Sequence, residues 1–357
     1  MDFYGSAGKL LFDRRMLNIQ KVAVIGGGII GVSSAVHALE TIPNIEVTLI
    51  SEKFSPHTTA DGSAGFWCPY LLGDVPVDTL RFWCQKTFNF LEGIFKTPEA
   101  SECGIGLLSC YYLSSVPVEA PPFSDIFLEW REINAKELAL FPERYRYGAF
   151  LTTLYAECTK LIPILMQRFQ KKGGTILKRK IERLSELSAN YDVVINCPGV
   201  EAAYLVPDSE VTPIRGQVMR VDAPWIKHAV FADNDYYIVP NVKEVICGGT
   251  HQEGNWSRKV DPKDRKHIWN GCCELIPSLK KAKVLREWVG LRPGRPKPRL
   301  ERETQVLGEK VLEVIHNYGH GGSGVTLFWG CALQTTKLLL DALDDVETRK
   351  RKNRSKL

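Results

Sequence analysis

The chain has 357 residues, 44% of them hydrophobic, which is enough for one large domain or two interleaved ones around a substantial core. Its formal net charge of +5 is partly concentrated near the C-terminus, in Arg349, Lys350, Arg351, Lys352, Arg354 and Lys356, so the body is close to neutral and charge gives no ground for a nucleic-acid surface. Ten scattered cysteines, including the adjacent Cys272 and Cys273, suit a reducing compartment better than a disulfide framework; without a CxxC pair or zinc-like histidine spacing, no structural metal is expected.

Residues 1–20 show no clear period and read as an extension ahead of the fold. Arg14, Arg15 and Lys21 precede an apolar run and imitate a signal peptide. Gly26, Gly27, Gly28 and Gly31 puncture that run, and glycine at such density suits a phosphate loop better than a membrane helix. No other segment reaches the roughly 18 unbroken apolar residues needed to cross a bilayer. Val22 to Ile25 predicts a short strand, Ile29 to Glu40 a helix, and Glu46 to Ile50 a second strand, in βαβ order. Residues 69–142 are aromatic and broken by prolines, with helices predicted near Thr79 to Phe95 and Asn134 to Leu140, and read as an inserted layer. A helix near Thr159 to Lys172, a strand at Thr175 to Lys178 and a buried strand at Asp192 to Asn196 return to α/β alternation. Strand-like runs at Gln217 to Val221, Tyr236 to Val239 and Glu244 to Cys247 then suggest an antiparallel sheet. After a basic helix come Gly290-Leu-Arg-Pro293, a strand at Val311 to Ile315, a glycine-rich turn, and a last helix from Val325 to about Leu343.

Three segments carry chemistry. In Gly26-x-Gly28-x-x-Gly31 the first glycine permits the tight turn, the second lets backbone approach a pyrophosphate, and the third lets helix pack on strand. The helix N-terminus then faces the phosphates. Glu52 lies 21 residues beyond Gly31, near the ~20-residue spacing of an acid that binds ribose hydroxyls. The loop alone does not separate NAD from FAD. The second segment, Asp192-Val-Val-Ile-Asn-Cys-Pro-Gly199, is a buried strand ending at a turn where backbone can pass close to a cofactor. The third, His316 to Thr326, is a glycine-rich turn feeding a helix, whose N-terminus can stabilise negative charge. Two anion-seeking turns far apart in the chain suit a long cofactor such as FAD.

These segments, with Lys53 to Gly65, Arg215-Gly-Gln-Val218, Asp222-Ala-Pro-Trp225 and Gly290-Leu-Arg-Pro293, resemble the D-amino-acid oxidase and D-aspartate oxidase family from Lys21 to the C-terminus. The resemblance implies an α/β fold of mixed α+β type: a discontinuous Rossmann-like FAD-binding domain plus a substrate domain with a mainly antiparallel β-sheet. The corresponding division is 1–20 as extension; 21–70, 145–205 and 286–345 for FAD; 71–144 and 206–285 for substrate; and 346–357 as a basic tail. It places FAD against Gly26, Gly27, Gly28, Ile29, Ile30, Gly31, Glu52, Lys53, Thr58, Thr59, Gly65, Phe66, Ile181, Gly199, Gly321, Gly322, Ser323, Gly324, Val325 and Thr326. It assigns the substrate α-carboxylate to Arg292 and Tyr237, with Gly322 and His251 also at the substrate, and requires no side-chain acid or base. A guanidinium fork suits a planar carboxylate; taken alone, Arg292 also reads as a surface charge beside prolines and Tyr237 as a core aromatic.

The expected reaction oxidises a D-amino acid with oxygen to a 2-oxo acid, ammonia and hydrogen peroxide. Ala149 to Cys158 and Val289 to Pro293 look closer to the acidic branch, and His316 to Gly322 to the neutral one. His251 stands where the acidic branch favours arginine, and Phe231 near the place of another. Acidic substrates are the preferred expectation, neutral ones the alternative, and a non-catalytic dinucleotide-binding protein the reading of a different class. Ser355-Lys356-Leu357 matches the peroxisomal import tripeptide, implying a peroxisomal import receptor as partner, although the basic run before it also fits a solvated tail or a nuclear signal.

Overall fold

A computed structural model describes residues 19–308 and 310–355. Residues 1–18, 309, 356 and 357 lie outside the described residues, and with them most of the expected extension and the last two residues of the import tripeptide.

The fold opens with β1 (Gln20–Gly27), α1 (Ile29–Thr41) and β2 (Ile45–Phe54), with β1 and β2 parallel, as the periodicity predicts. Val22 and Val24 pack with Val32, Ala35 and Val36 of α1, whereas Ala23 and Ile25 meet Ile181, Leu184 and Leu187. Both faces of β1 are therefore covered, which is why the strand reads as an unbroken apolar run.

α2 (Val77–Phe95), α3 (Ala100–Cys103), β3 (Ile105–Ser114), β4 (Glu129–Glu132), α4 (Ala135–Leu138) and β5 (Tyr147–Ala156) follow. The helix predicted over Asn134 to Leu140 is a single turn; Asn134 caps it, accepting from the N–H groups of Lys136 and Glu137. α5 (Cys158–Lys171), β6 (Thr175–Lys178) and β7 (Val193–Asn196) lie within a residue of their predicted bounds. Beyond them run α6 (Ala202–Leu205), β8 (Thr212–Asp222), β9 (Ala229–Ala232), β10 (Tyr236–Pro240), β11 (Val245–Gly248) and β12 (Gln252–Glu253). α7 (Pro262–Leu275) starts where Asp261 accepts from the Lys263 N–H and Pro262 needs no partner for the donor it lacks. β13 (Lys283–Gly294), β14 (Arg299–Leu307), β15 (Lys310–Tyr318) and α8 (Gly324–Arg354) complete the chain.

Six strands form one sheet in the order β14-β15-β7-β1-β2-β6, parallel except for β14 at the edge. From β1 the chain winds outward to β2 and β6, then returns to β7 and β15 on the other side. Direction thus switches between β1 and β7, the place where open α/β sheets leave a crevice at their C-terminal strand ends. The second sheet runs β12-β8-β11-β10-β9-β3-β5-β4, with β13 paired along β8, and is antiparallel except where β3 meets β9. α7 covers part of it, with Ile268 and Cys272 packed among Met219, Val221, Ile238 and Cys247.

The structure adds three features to the sequence reading. β5 and β13, which fall within 145–205 and partly within 286–345, pair in the antiparallel sheet. β3, β9, β13 and β14 are strands that local pattern did not reveal. The basic run is no loose tail within the described residues: α8 continues through Arg354, with Arg349 on Glu313 at 2.7 Å and Lys350 on Asp192 at 2.5 Å. Opposite charges elsewhere in the fold extend the helix beyond the Leu343 limit read from apolar spacing.

Candidate functional site

Glycine turns follow three neighbouring strands of the parallel sheet, β1, β7 and β15. Gly28 caps α1 in extended backbone, no side chain bonds the cap, and no acid stands in the first turn. Gly26 has φ +109, and a Cβ there would lie 2.1 Å from the Cys197 carbonyl oxygen; a Cβ at Gly31 would lie 2.0 Å from that of Gly26. These two glycines let α1 and the turn after β7 close on β1. Gly28 differs, because a Cβ there would meet nothing within 4 Å. Gly199, after β7, likewise faces open space.

The turn after β15 is held from several sides. The Gly321 N–H donates to the Pro293 carbonyl at 2.7 Å. Gly322 abuts Tyr70, since a Cβ there would lie 2.5 Å from its ring. The Ser323 hydroxyl donates to the Tyr70 carbonyl at 2.7 Å and accepts its N–H at 2.6 Å, while the Thr326 hydroxyl donates to the Cys68 carbonyl at 2.9 Å. Val325 is buried beneath. Nothing caps the start of α8, no acid lies in its first turn, and a Cβ at Gly324 would meet open space. Two long helices thus present unsatisfied N–H groups at one end of the same sheet, the arrangement that anions complete. His320, in the same turn, is 2% exposed and its Nε2 has no partner among the described residues. Burial lowers its pKa to about 4, so the ring is neutral at physiological pH.

The remaining expected contacts lie on several elements. Ile29 is buried and Ile30 half-buried at the start of α1. Glu52 and Lys53 are exposed near the C-terminal end of β2, where Gly27 fits against the Lys53 carbonyl and the Phe54 ring. Thr58 gives its N–H and hydroxyl to Asp61, at 2.8 and 2.6 Å, and the Thr59 hydroxyl donates to the Leu291 carbonyl at 3.3 Å. Gly65 has φ +75 and presses on the Ala156 carbonyl; next to it, the Phe66 ring lies 5.0 Å from that of Phe231. Ile181 is in the apolar cluster with Ala23, Ile25 and Ile50.

The antiparallel sheet supplies a cation of unusual status. Arg215 is 1% exposed and all of its nitrogens are used: Nε on the Ser257 carbonyl, Nη1 on Gln252 and Asp264, Nη2 on Gln217 and the Lys259 carbonyl. Arg220 pairs with Glu244. Arg292, half-buried on β13, donates from Nη1 to the Thr250 carbonyl at 2.9 Å, and among the described residues no carboxylate pairs with it. Its neighbours are two phenols. Burial raises the pKa of Tyr237, and Arg292, which its hydroxyl reaches, only partly offsets this; burial raises Tyr70 as well, again opposed by Arg292. Both hydroxyls therefore keep their protons at neutral pH. Tyr237 stacks on Phe231 at 5.5 Å, and glycine at 248 and 249 leaves room for its ring.

The structure thus brings Arg292, Tyr237 and Gly322 into one neighbourhood, with Tyr70 touching Gly322 and facing Arg292. Tyr70 was missed by sequence reasoning, since one tyrosine after a proline carries no pattern. His251 follows Thr250, whose carbonyl accepts from Arg292, and is exposed without a hydrogen bond or ion pair among the described residues.

A family model, DAO, described as FAD dependent oxidoreductase, matches residues 21–338. The chain belongs to the FAD-dependent oxidoreductase family. It is 39% identical over 335 residues to a D-aspartate oxidase of Homo sapiens, covering 93% of this chain and 98% of that one. It is equally 39% identical to a D-amino acid oxidase of Dugesia ryukyuensis, over 90% of this chain and 98% of that protein. Among solved structures, glycine oxidase from Geobacillus kaustophilus superposes with a TM-score of 0.72 at 18% identity, covering 90% of this chain and 95% of that one, which speaks to the fold. FAD is accordingly the cofactor of this oxidoreductase. The residues present fit it: two uncapped helix N-termini with open space at Gly28 and Gly324, and an orphaned buried nitrogen on His320.

Proposed function

We propose that the chain catalyses FAD-dependent oxidative deamination of D-amino acids, with acidic ones preferred, giving a 2-oxo acid, ammonia and hydrogen peroxide. The observation that carries this reading is Arg292: a half-buried guanidinium without a carboxylate partner among the described residues, flanked by two protonated tyrosines. Buried charges in folded chains are ordinarily paired, so this one suits a carboxylate brought by a ligand. In this reading Arg292 makes the charge-assisted contacts to the substrate α-carboxylate and Tyr237 donates its hydroxyl to the same group. Gly322 keeps the wall beside them low.

FAD, when bound, supplies the acceptor for the substrate Cα hydride. Its pyrophosphate is assigned to Gly26 to Gly31 and the start of α1, its ribose to Glu52, and its flavin end to Gly321 to Thr326 and the start of α8. Lys53, Thr58, Thr59, Gly65, Phe66, Ile181 and Gly199 complete the proposed contacts. The chain's task is alignment rather than proton abstraction: Tyr70 and Tyr237 keep their protons, so they act as donors and not as bases.

The acidic preference is supported by the human relative's name and leaves His251 as the candidate partner for a second carboxylate. Side-by-side turnover of D-aspartate, D-glutamate, D-alanine and D-methionine tests it, and absence of D-aspartate activity removes it in favour of neutral substrates. For the site itself, Arg292→Met is expected to cost at least about 100-fold in kcat/KM with FAD retained, as loss of a charge-assisted pair implies; near-normal activity rejects the carboxylate role. The reading extends to location, since a peroxide-forming oxidase suits the peroxisome and Ser355-Lys356-Leu357 matches its import tripeptide. Unchanged import after deletion of Leu357 removes that part.

A further inference from the structure

Arg292 reaches its place by crossing a neighbouring strand. β13 runs antiparallel to β8, with Arg292 opposite Ile214 and Gly290 opposite Gly216. Positions 214 and 216 share a face of β8, so Arg292 lies diagonal to position 216 on that face. A Cβ built on Gly216 has as its three nearest atoms Nη1, Cζ and Nη2 of Arg292, at 2.5, 2.7 and 2.7 Å. The guanidinium therefore rests on the one stretch of β8 that offers no side chain.

On the far side it meets Thr250, whose carbonyl accepts from Nη1 at 2.9 Å. Thr250 follows β11 and is 8% exposed. Its hydroxyl accepts the Gln217 N–H at 2.8 Å and reaches the Arg215 carbonyl at 3.5 Å, so it clips β8 on both sides of Gly216. The clipped residues are themselves fixed. Arg215 holds the Gln217 side chain at 2.8 Å and is anchored to Asp264 at 2.6 Å, and Gln217 donates to the Asp261 carbonyl at 3.0 Å. A chain of buried and part-buried contacts thus runs from the start of α7 to one edge of Arg292.

We infer that Gly216 and Thr250 are positioning residues for the substrate carboxylate: Gly216 lets the Arg292 guanidinium lie flat across β8, and Thr250 ties one edge so that the remaining N–H groups keep a single orientation. The inference rests on the reading of Arg292 as the carboxylate receptor. Two parallel hydrogen bonds to a carboxylate require the fork in its plane, so tilting it loses a bond while keeping the charge. Neither residue type carries this role in sequence, because glycine and threonine in strands have ordinary structural uses.

Gly216→Ala is the decisive variant, since the atoms nearest its methyl are the far end of the flexible Arg292 side chain rather than backbone. Thr250→Val removes the clip and Thr250→Ser keeps the hydroxyl. Each holoenzyme is assayed for D-amino-acid turnover, FAD content and thermal midpoint, and for binding of propanoate, a carboxylate without an amine, read by the change in flavin absorbance. Gly216→Ala and Thr250→Val are expected to raise KM and the propanoate Kd about tenfold, with kcat within about threefold, and Thr250→Ser to stay within about twofold of the parent. Unchanged KM and Kd in Gly216→Ala overturn the inference. So does a rise accompanied by equal loss of FAD or thermal stability, which assigns both residues to the scaffold. If Thr250→Val does not fold, Gly216→Ala and Thr250→Ser decide alone. Arg292→Met, run alongside, separates the two levels: retained propanoate binding there rejects the receptor reading, whereas its loss with an unaffected Gly216→Ala rejects only the positioning role.

Discussion

At the scale of single residues, what matters is which buried polar groups lack a partner inside the chain. Asp264 meets Arg215 and Glu244 meets Arg220, whereas no carboxylate among the described residues pairs with Arg292. His320 stands in the same position as a neutral group. Its pKa of about 4 lies below the ordinary 6.5 because burial disfavours the cation. Between those values the unfolded chain binds a proton that the folded chain refuses. Stability from this group is thus complete above about pH 6.5 and is lost as pH falls towards 4, by at most roughly 3 kcal/mol. His320→Gln has no such proton to take up. Thermal midpoints measured at pH 7 and pH 4.5 are expected to fall less in the variant than in the parent. Equal falls would falsify the assignment of His320 as a buried neutral ring.

At the scale of elements, α8 joins two jobs that sequence reading kept apart. Its first turn, free of caps and acids, forms part of the rim, and its last turns carry the basic run onto the parallel sheet. The anchor is Glu313, fully buried on β15, which binds Arg302 at 2.7 Å and Arg349 at 2.7 Å and accepts from the Thr304 hydroxyl. Burial alone would raise the Glu313 pKa, but bonds from Arg302, Thr304 and Arg349 together hold it below the usual glutamate value. Glu313→Gln keeps the shape and removes the charge. The expected cost is on the order of 3 kcal/mol, because it removes a fully buried carboxylate from between two guanidinium groups and leaves Arg302 with Asp345 alone. Chemical denaturation reads this directly, and a change below about 0.5 kcal/mol, typical of an exposed pair, shows that the cluster does not anchor the helix. The end of this helix was not legible locally, since Glu313 and Asp192 are distant in sequence from the cations they pair. The βαβ opening was legible, because its apolar runs and glycine spacing are local properties of residues 21–52.

For the whole molecule, cofactor and fold are thermodynamically linked. The rim is built by β1, β7 and β15 with the starts of α1 and α8, segments that span most of the chain. A ligand that binds only this folded arrangement stabilises all of it, by about 2.7 kcal/mol at 100 times its Kd. Protein stripped of FAD is expected to melt several degrees lower, and its midpoint to climb with the logarithm of added FAD. A midpoint indifferent to FAD contradicts the assignment of the rim. The glycine motif and the segments at 53–65, 194–199 and 316–326 were present in the sequence as short, contiguous patterns, and their resemblance to the flavin family is what gave Tyr237 and Arg292 their expected roles. Only the tertiary structure decided that β5 and β13 belong to the antiparallel sheet, that Tyr70 faces Arg292, and that Arg292 lies over Gly216 without a carboxylate partner among the described residues. Those facts depend on strand register and on contacts between residues far apart in the chain, and no local periodicity encodes which distant charge a buried group meets.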